Sequence, residues 1–346
     1  MAMRNFVGLI LFVQVLAVNS LAAQPVAKKI RIGFAMDTLR EERWMRDRDH
    51  FVKAAQERGA EVLIQAANGN DALQYSQAEN LLTQGVDVLV VAPHNGVTAA
   101  SIVEAAHKMG KKVISYDRLI RNADVDLYVA FDNVEIGKLQ ADYLLKKIPK
   151  GNYVLIGGAP TDPNAKLLRE GQMQVLKPAI DRGDVKIVAD QWTREWQPSE
   201  ALKHAENALT RTDNNIQAVV ASNDGTAGGV ISALKQQGLA GKVGVSGQDA
   251  DLPGCQRIAE GSQSMTVYKP GRLLTARAVD AAIAFAKGEA APGINKTVDN
   301  GKKLVPAILL TPIAIDQVNI DQTIVKDQYH PSIEIYKNVL KSKKES

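Results

Sequence analysis

The sequence has little of what several protein classes need. Its single cysteine, Cys255, cannot form a disulfide within the chain. The five histidines are scattered, with no HExxH motif and no cysteine partners, which argues against a zinc site. Aromatic residues make up only 5%, and the formal net charge of +4 is not gathered into the basic face of a nucleic-acid-binding protein. We therefore expect no metal, no cofactor and no nucleic-acid partner.

One marked apolar run stands at the N-terminus. Arg4 precedes the uncharged, mostly apolar segment 6–18, and small residues follow at Ser20, Ala22 and Ala23. This order is typical of a secretory signal peptide. The run is also shorter than the roughly 20 apolar residues of a membrane span. We expect residues 1–23 to be a signal peptide that directs export of the mature protein.

From residue 30 onward, short apolar segments alternate with longer amphipathic ones. The pattern predicts strands at 30–36, 62–66, 86–92, 113–116, 128–131, 153–156, 185–190, 218–221 and 243–246, and helices at 44–58, 71–84, 97–109, 164–180, 198–210 and 225–237. Strands that are apolar throughout fit parallel sheets that helices cover on both faces. Two successive sets of this alternation predict an α/β fold with two doubly wound, Rossmann-like lobes.

Polar side chains follow many of the predicted strands, at the place where such folds bind ligands. Carboxylates, amides, cations and tryptophans lie in the segments 37–44, 116–118, 157–164, 191–196, 222–224, 247–249 and 268–270. Carboxylates accept hydrogen bonds from sugar hydroxyls, amides and cations donate to their oxygens, and indole covers a carbon face of the ring. A single Asp or Asn in such a loop is equally a helix cap. Together the seven loops indicate a site for a polyol.

The same loops resemble those of the periplasmic sugar-binding proteins of ABC transporters, in the ribose/galactose-type cluster. The matching segments are LREERWMRDRD from Leu39, SYDRLI from Ser115, GGAPTDPNAKLLREGQM from Gly157, QWTREWQP from Gln191, ASNDGTAGG from Ala221, SGQDAD from Ser246 and MTVYKP from Met265. The resemblance extends from about Lys29 to His330. It implies the type I periplasmic binding protein fold, a periplasmic location, and a monomer that delivers a monosaccharide, expected to be D-xylose, to an ABC transporter permease.

Transferred position by position, the resemblance implies ten ligand-binding residues: Arg43, Trp44, Asp117, Arg118, Asp162, Asn164, Trp196, Asn223, Asp249 and Lys269. The tryptophans at 44 and 196 would flank the sugar ring, whereas Trp192 would be structural. His94 stands where the family pattern has tyrosine, which is expected to alter the rim of the cleft. Arg194 and Glu195 do not match the pattern.

The family fold also implies a hinge of three chain crossings, near 132–133, 268–269 and 311–312. The N-terminal lobe would comprise 28–132 with 270–311, and the C-terminal lobe 133–269 with 312–336. Residues 337–346 would form a solvated tail. Closure of the lobes about the three crossings would enclose the ligand.

The sequence leaves other functions to be weighed. A glycosidase would use paired carboxylates, one with a raised pKa, but each candidate aspartate has cationic or amide neighbours that are expected to keep it ionised. A dinucleotide site needs GxGxxG after the first strand, and residues 33–36 do not supply it. A sugar-sensing repressor would carry a helix-turn-helix where the export segment stands. A periplasmic sensory receptor stays open as an alternative partner to the permease.

Overall fold

The structure is a computed structural model that describes residues 29–345. The expected signal peptide lies outside the described residues. Within the part of the chain that is described, no helix is both long enough and apolar enough to cross a membrane.

Seven strands form the first sheet: β1 (Arg31–Met36), β2 (Glu61–Ala66), β3 (Val88–Val91), β4 (Lys112–Tyr116), β5 (Leu127–Phe131), β11 (Lys296–Asp299) and β12 (Leu304–Leu310). Their order is β11-β12-β5-β4-β3-β1-β2. All neighbours pair in parallel except β11, which is antiparallel to β12. The central strand β3 is buried along its whole length, as expected for a parallel sheet covered on both faces.

The covering helices of this first lobe are α1 (Glu42–Glu57), α2 (Asp71–Thr83), α3 (Ala100–Lys108) and α9 (Gly271–Ala286). One face of the sheet packs an aromatic group in which the Phe34 ring lies 4.6 Å from that of Phe51 and 5.2 Å from that of Tyr116, measured between centroids. The other face packs Leu81 and Ile102 in a second buried cluster. The two faces thus give the first lobe a core on each side of its sheet.

The second lobe has a smaller parallel sheet with the order β7-β6-β8-β9, formed by β6 (Gly151–Gly157), β7 (Val185–Trp192), β8 (Ala218–Ala221) and β9 (Gly244–Val245). Its helices are α4 (Asn133–Lys147), α5 (Pro163–Asp181), α6 (Pro198–Arg211), α7 (Asp224–Gln236) and α8 (Leu252–Glu260). Helices α4 and α5 approach closely at two glycines. A Cβ added to Gly137 would lie 2.0 Å from the Leu168 carbonyl oxygen, and one added to Gly171 would lie 2.0 Å from that of Val134.

The chain passes between the two sheets three times. It does so from β5 to α4, from β10 (Thr266–Tyr268) to α9, and from β12 to β13 (Ile313–Ile315). Strands β10 and β13, which flank two of these passages on the side of the second lobe, pair antiparallel with each other. The residue boundaries of the two lobes stay the predictions given above.

The predicted α/β architecture with parallel sheets is confirmed, and each predicted strand and helix is present. The largest shift is in α3, which begins at Ala100 because residues 96–99 form turns. The sequence did not predict the strands β10, β11, β12 and β13 or the helices α4 and α9. It also treated residues 337–346 as a solvated tail, whereas Lys337–Glu345 form the helix α11, which follows α10 (Ser332–Ile335). A hydrogen bond from Asn338 to Glu260 attaches this helix to α8, and Val339 within it is half-buried.

Candidate functional site

A small cavity lies between the carboxyl ends of the two sheets. It is lined by the ten residues that the sequence predicted as ligand-binding, together with Glu41 and Gln248: Glu41, Arg43, Trp44, Asp117, Arg118, Asp162, Asn164, Trp196, Asn223, Gln248, Asp249 and Lys269. The structure therefore brings the predicted residues together from both lobes. Their role in binding a ligand stays a prediction.

The end of β4 places Asp117 and Arg118 at the centre of the cavity. Asp117 has a left-handed backbone with φ of 62°, which is costly for a residue other than glycine. The surroundings hold it there, because its N–H donates to the Val129 carbonyl at 2.8 Å and its own carbonyl accepts from the Tyr128 hydroxyl at 2.9 Å. Such strain, fixed by its neighbours, is characteristic of functional sites.

The Asp117 carboxylate is buried in a network with two cations. Arg43 donates to Asp117 at 2.9 Å and to Asp47 at 2.6 Å, and the Lys269 ammonium lies 4.0 Å from Asp117. Burial alone would raise the pKa of Asp117, but the positive charges of Arg43 and Lys269 outweigh it and bring the pKa to about 2. Asp117 is therefore an anion that accepts hydrogen bonds at any physiological pH.

Arg118 forms a second buried network that joins the lobes. Its guanidinium donates to Asp37 at 2.6 Å and lies 2.7 Å from the Asp162 carboxylate of the second lobe. Burial would raise the pKa of Asp37, but Arg118 and a hydrogen bond from His94 bring it to about 2.

Asp162 departs from what its neighbours led us to expect. Burial raises its pKa above the ordinary value even though Arg118 is close. Both of its oxygens nevertheless accept hydrogen bonds, from the Asn164 N–H at 2.9 Å and from the Trp196 indole N–H at 3.1 Å. Both oxygens of Asp162 therefore already serve as acceptors within the protein.

Four buried oxygens on residues that line the cavity have no hydrogen-bond partner among the described residues. They are Glu41 Oε2, Asn164 Oδ1, Gln248 Oε1 and Asp249 Oδ1. The Lys269 Nζ atom lies 2.9 Å from Asp249 Oδ1, but the geometry is that of an ion pair and not of a hydrogen bond. An unsatisfied buried acceptor costs about 1–3 kcal/mol. The cavity wall is thus incomplete without a ligand that donates hydrogen bonds.

Two indoles give the cavity its apolar surface. Trp44 and Trp196 are 3% and 8% exposed, and the Arg43 guanidinium lies 4.1 Å from the Trp44 ring centroid. Trp196 packs directly on the backbone of Gly158, where an added Cβ would lie 2.2 Å from its ring. Trp192 is outside the cavity lining and packs against the Arg169 guanidinium, 4.9 Å away.

The sequence reasoning missed part of the site. Glu41 and Gln248 line the cavity but were not predicted, although each lies inside a loop that the strand-end rule had selected. Asp37, the residue directly after β1, accepts a hydrogen bond from Arg118 and also lies in a selected loop. His94 is not part of the lining; its Nδ1 atom lies 2.9 Å from Asp37, and its expected effect on the rim of the cleft stays a prediction.

The fold and the cavity together define a class of protein: a two-lobed solute-binding protein that encloses a small polar molecule between its sheets. The chain belongs to the periplasmic binding protein family, since the family's periplasmic binding protein domain matches residues 32–290. It is 53% identical over 309 residues to the D-xylose-binding periplasmic protein of Escherichia coli strain K12, a match that covers 89% of this chain and 93% of that protein.

Two further relatives extend the comparison. The multiple sugar-binding periplasmic receptor ChvE of Rhizobium radiobacter is 38% identical over 326 residues, covering 88% of this chain and 92% of the receptor. Among solved structures, a carbohydrate transporter solute-binding protein from Chloroflexus aurantiacus, in complex with D-glucose, superposes with a TM-score of 0.84. That structure is 32% identical and covers 89% of this chain and 98% of its own. These matches confirm the family resemblance drawn from the strand-end segments.

Proposed function

We propose that the protein binds one molecule of D-xylose between its lobes in the periplasm and, as a monomer, delivers it to the membrane permease of an ABC transporter. The observation that carries this proposal is the set of cavity-wall oxygens that accept no hydrogen bond from the described residues, on Glu41, Asn164, Gln248 and Asp249. Sugar hydroxyls are the donors that such acceptors lack. The 53% identity to the D-xylose-binding protein of E. coli supports the choice of sugar.

The charges of the lining favour a neutral ligand. Four carboxylates and three basic residues line the cavity: Glu41, Asp117, Asp162, Asp249, Arg43, Arg118 and Lys269. Each carboxylate lies within 3 Å of a cationic nitrogen, with Glu41 paired to Arg40 outside the lining, so the cavity has no unpaired charge to recruit an ion. A neutral polyol can instead donate to the carboxylates and accept from the cations through the same hydroxyl groups.

The two indoles of the cavity favour a single sugar ring. Trp44 comes from the first lobe and Trp196 from the second, so a ring held between the lobes meets an indole from each. We infer that the ten predicted residues, with Glu41 and Gln248, are the ligand contacts.

Calorimetric titration of protein purified from the periplasm tests the proposal. D-xylose should bind with a dissociation constant around 1 µM, equivalent to about −8 kcal/mol. Ribose, arabinose, glucose and galactose should bind at least about tenfold more weakly, since a missing or added hydroxyl leaves buried polar groups unpaired. Tighter binding of one of these four would reassign the sugar. No heat with any of the five would reject the proposal.

A glycosidase is the enzyme alternative, and we propose that the protein has no such activity. Asp117 is held ionised by Arg43 and Lys269, and both Asp162 oxygens accept hydrogen bonds, so neither is arranged as a general acid. Incubation with aryl xylosides should release no phenol. Turnover by the protein that is lost in Asp117→Asn would show this reasoning to be wrong.

A sensory partner is the second candidate, because the relative from Rhizobium radiobacter is named a receptor. A chemoreceptor would contact the closed lobes from the same periplasmic side as the permease. In cells that lack the permease, the response to D-xylose should then still depend on this protein. If deleting it leaves that response unchanged, delivery to the transporter is its sole role toward the sugar.

A further inference from the structure

Glu195 belongs to the second lobe, in the 3₁₀ turn Arg194–Trp196 after β7, yet it contacts the first lobe across the cleft. Its backbone carbonyl accepts a hydrogen bond from the Arg40 guanidinium. Its Oε1 atom lies 3.7 Å from Nε2 of His94. Its Oε2 atom occupies the space beside Gly69, where a Cβ would lie only 2.9 Å away. One residue therefore joins three parts of the opposite lobe at the mouth of the cavity.

The hydrogen bonds of His94 define which of its forms fits this place. Nδ1 lies 2.9 Å from Asp37, which is ionised and bound on its other oxygen by Arg118, so Nδ1 must donate. Nε2 then faces two carboxylates, Glu195 at 3.7 Å and Asp71 at 3.9 Å. The Asp71 Oδ1 atom has no hydrogen-bond partner among the described residues. A lone pair on Nε2 would be repelled by both carboxylates, whereas an N–H of the imidazolium is attracted by both.

The backbone at this turn is costly to hold. Glu195 and the next residue, Trp196, both have left-handed φ values, 54° and 56°. A conformation of this kind costs about 1–3 kcal/mol for each residue that is not glycine. Within the second lobe, Trp196 N–H donates to the Thr193 carbonyl at 3.3 Å. The same lobe adds hydrogen bonds from the Gln197 N–H to the Arg194 carbonyl at 3.1 Å and from the Trp196 indole N–H to Asp162 at 3.1 Å. The contacts of Glu195 with the first lobe anchor the turn from across the cleft, and the turn sets the position of the indole.

We propose that Glu195 is a positioning residue, whose carboxylate pairs with the His94 imidazolium when the lobes close and so holds Trp196 against the sugar. This inference rests on the proposed function, because it assumes that the lobes close over a ligand. The Glu195–His94 pair joins two lobes, so it forms on closure and is absent from the open protein. It is a latch, in the sense of a contact that stabilises only the closed state.

The latch links sugar binding to a proton. The pKa of His94 is raised, first by its hydrogen bond to Asp37 and further by the charges of Glu195 and Asp71, against the lowering effect of burial. Opening removes Glu195 from this set, so the pKa of His94 is higher in the closed state than in the open one. Sugar binding therefore takes up part of a proton between the two values, and affinity falls as the pH rises through them.

Calorimetry at pH 7 in buffers of different ionisation enthalpy tests this link directly, because the observed heat then reports protons taken up per sugar bound. The wild-type protein should take up a fraction of a proton. Glu195→Gln should take up less and should bind the sugar about two- to fivefold more weakly, as for other partly exposed ion pairs. His94→Gln should lower proton uptake and affinity in the same way. The double variant should differ little from either single variant, because both substitutions remove the same ion pair.

Glu206→Gln is the matched control, since it removes the same charge from α6 of the second lobe, away from the cleft. It should leave both proton uptake and affinity unchanged. Unchanged uptake in Glu195→Gln, or an equal loss in Glu206→Gln, would overturn the latch. Near-UV circular dichroism of each sugar-free variant checks that it is folded. Failure of the wild-type protein to bind any sugar is a separate result, which would reject the proposed function itself.

Discussion

Asp117→Asn is the sharpest test of the site, because it removes one charge and almost no volume. Asp117 accepts hydrogen bonds from Arg43 at 2.9 Å and from Asn164 at 3.1 Å, and Lys269 lies 4.0 Å away. The amide of the variant keeps one acceptor oxygen and presents an NH₂ group in place of the other. The NH₂ group would face either the Arg43 guanidinium, which can only donate, or the ligand.

The size of the effect follows from these contacts. A hydrogen bond to a charged group contributes about 1.5–3 kcal/mol. If the carboxylate accepts from two adjacent hydroxyls, its loss costs at least about 3 kcal/mol, or a rise in the dissociation constant of roughly a hundredfold. Breaking a buried ion pair also costs about 3–5 kcal/mol of folding free energy. We expect the lower end, because Arg43 keeps Asp47 at 2.6 Å.

Titration calorimetry with D-xylose measures the first effect and urea unfolding without sugar measures the second. Asp124→Asn is the control: Asp124 is an exposed residue of the first lobe, paired with Lys303. It should change affinity by less than about twofold and stability by less than about 1 kcal/mol, as is usual for exposed pairs. Comparable losses of affinity in the two variants, or a change below about threefold in Asp117→Asn, would refute the proposed site.

Three further predictions concern stability and the position of an indole. The pKa values of Asp37 and Asp117 are lowered from 3.8 to about 2, so the stability that these two carboxylates contribute is complete above pH 4 and is lost as the pH falls toward 2. The urea midpoint of unfolding should therefore be lower at pH 2.5 than at pH 5, and equal midpoints would contradict this. Gly158→Ala should weaken sugar binding by at least about tenfold, because the methyl group displaces the Trp196 ring; affinity within twofold of wild type would show that the ring can move freely. Gly137→Ala should lower the free energy of unfolding by about 2 kcal/mol, because the added methyl group would collide with the Leu168 carbonyl of α5. Helix propensity alone would raise it by roughly 1 kcal/mol, so a variant that is more stable in urea would show that α4 and α5 can separate.

The sequence was enough to predict the fold because its apolar patterns are local. A strand such as β3, VLVV, is apolar throughout since helices cover both faces, and no long-range information is needed to find it. The residues that follow the carboxyl ends of these strands then predicted the lining of the cavity. Asp117, Asn223 and Asp249 were each placed by the rule that ligands bind at the carboxyl ends of parallel strands, and all three line one cavity.

Features that depend on distant contacts could not be predicted in this way. Strand β11, KTVD, is an exposed edge strand with no alternating apolar face, and only its pairing with β12 defines it. The rise in the pKa of Asp162 comes from burial between two lobes, whereas its sequence neighbours indicated the opposite. The left-handed turn at Glu195 contains no glycine, so nothing in the local sequence marks it.

The cost of the empty cavity explains why closure should require the sugar. Five of the ten non-glycine residues with positive φ in the described part of the chain lie in or beside the site: Asp117, Glu195, Trp196, Asp249 and Ala250. Three acceptor oxygens of the lining, Glu41 Oε2, Asn164 Oδ1 and Gln248 Oε1, have neither a hydrogen bond nor an ion pair within the described chain. At about 1–3 kcal/mol each, they disfavour closure without a ligand by several kcal/mol. A shift from 1:99 to 99:1 between two conformations needs about 5.5 kcal/mol. The hydroxyl donors of a single sugar can therefore convert a mostly open protein into a mostly closed one. A cavity whose acceptors were all hydrogen-bonded within the protein would gain no such stabilisation from the sugar.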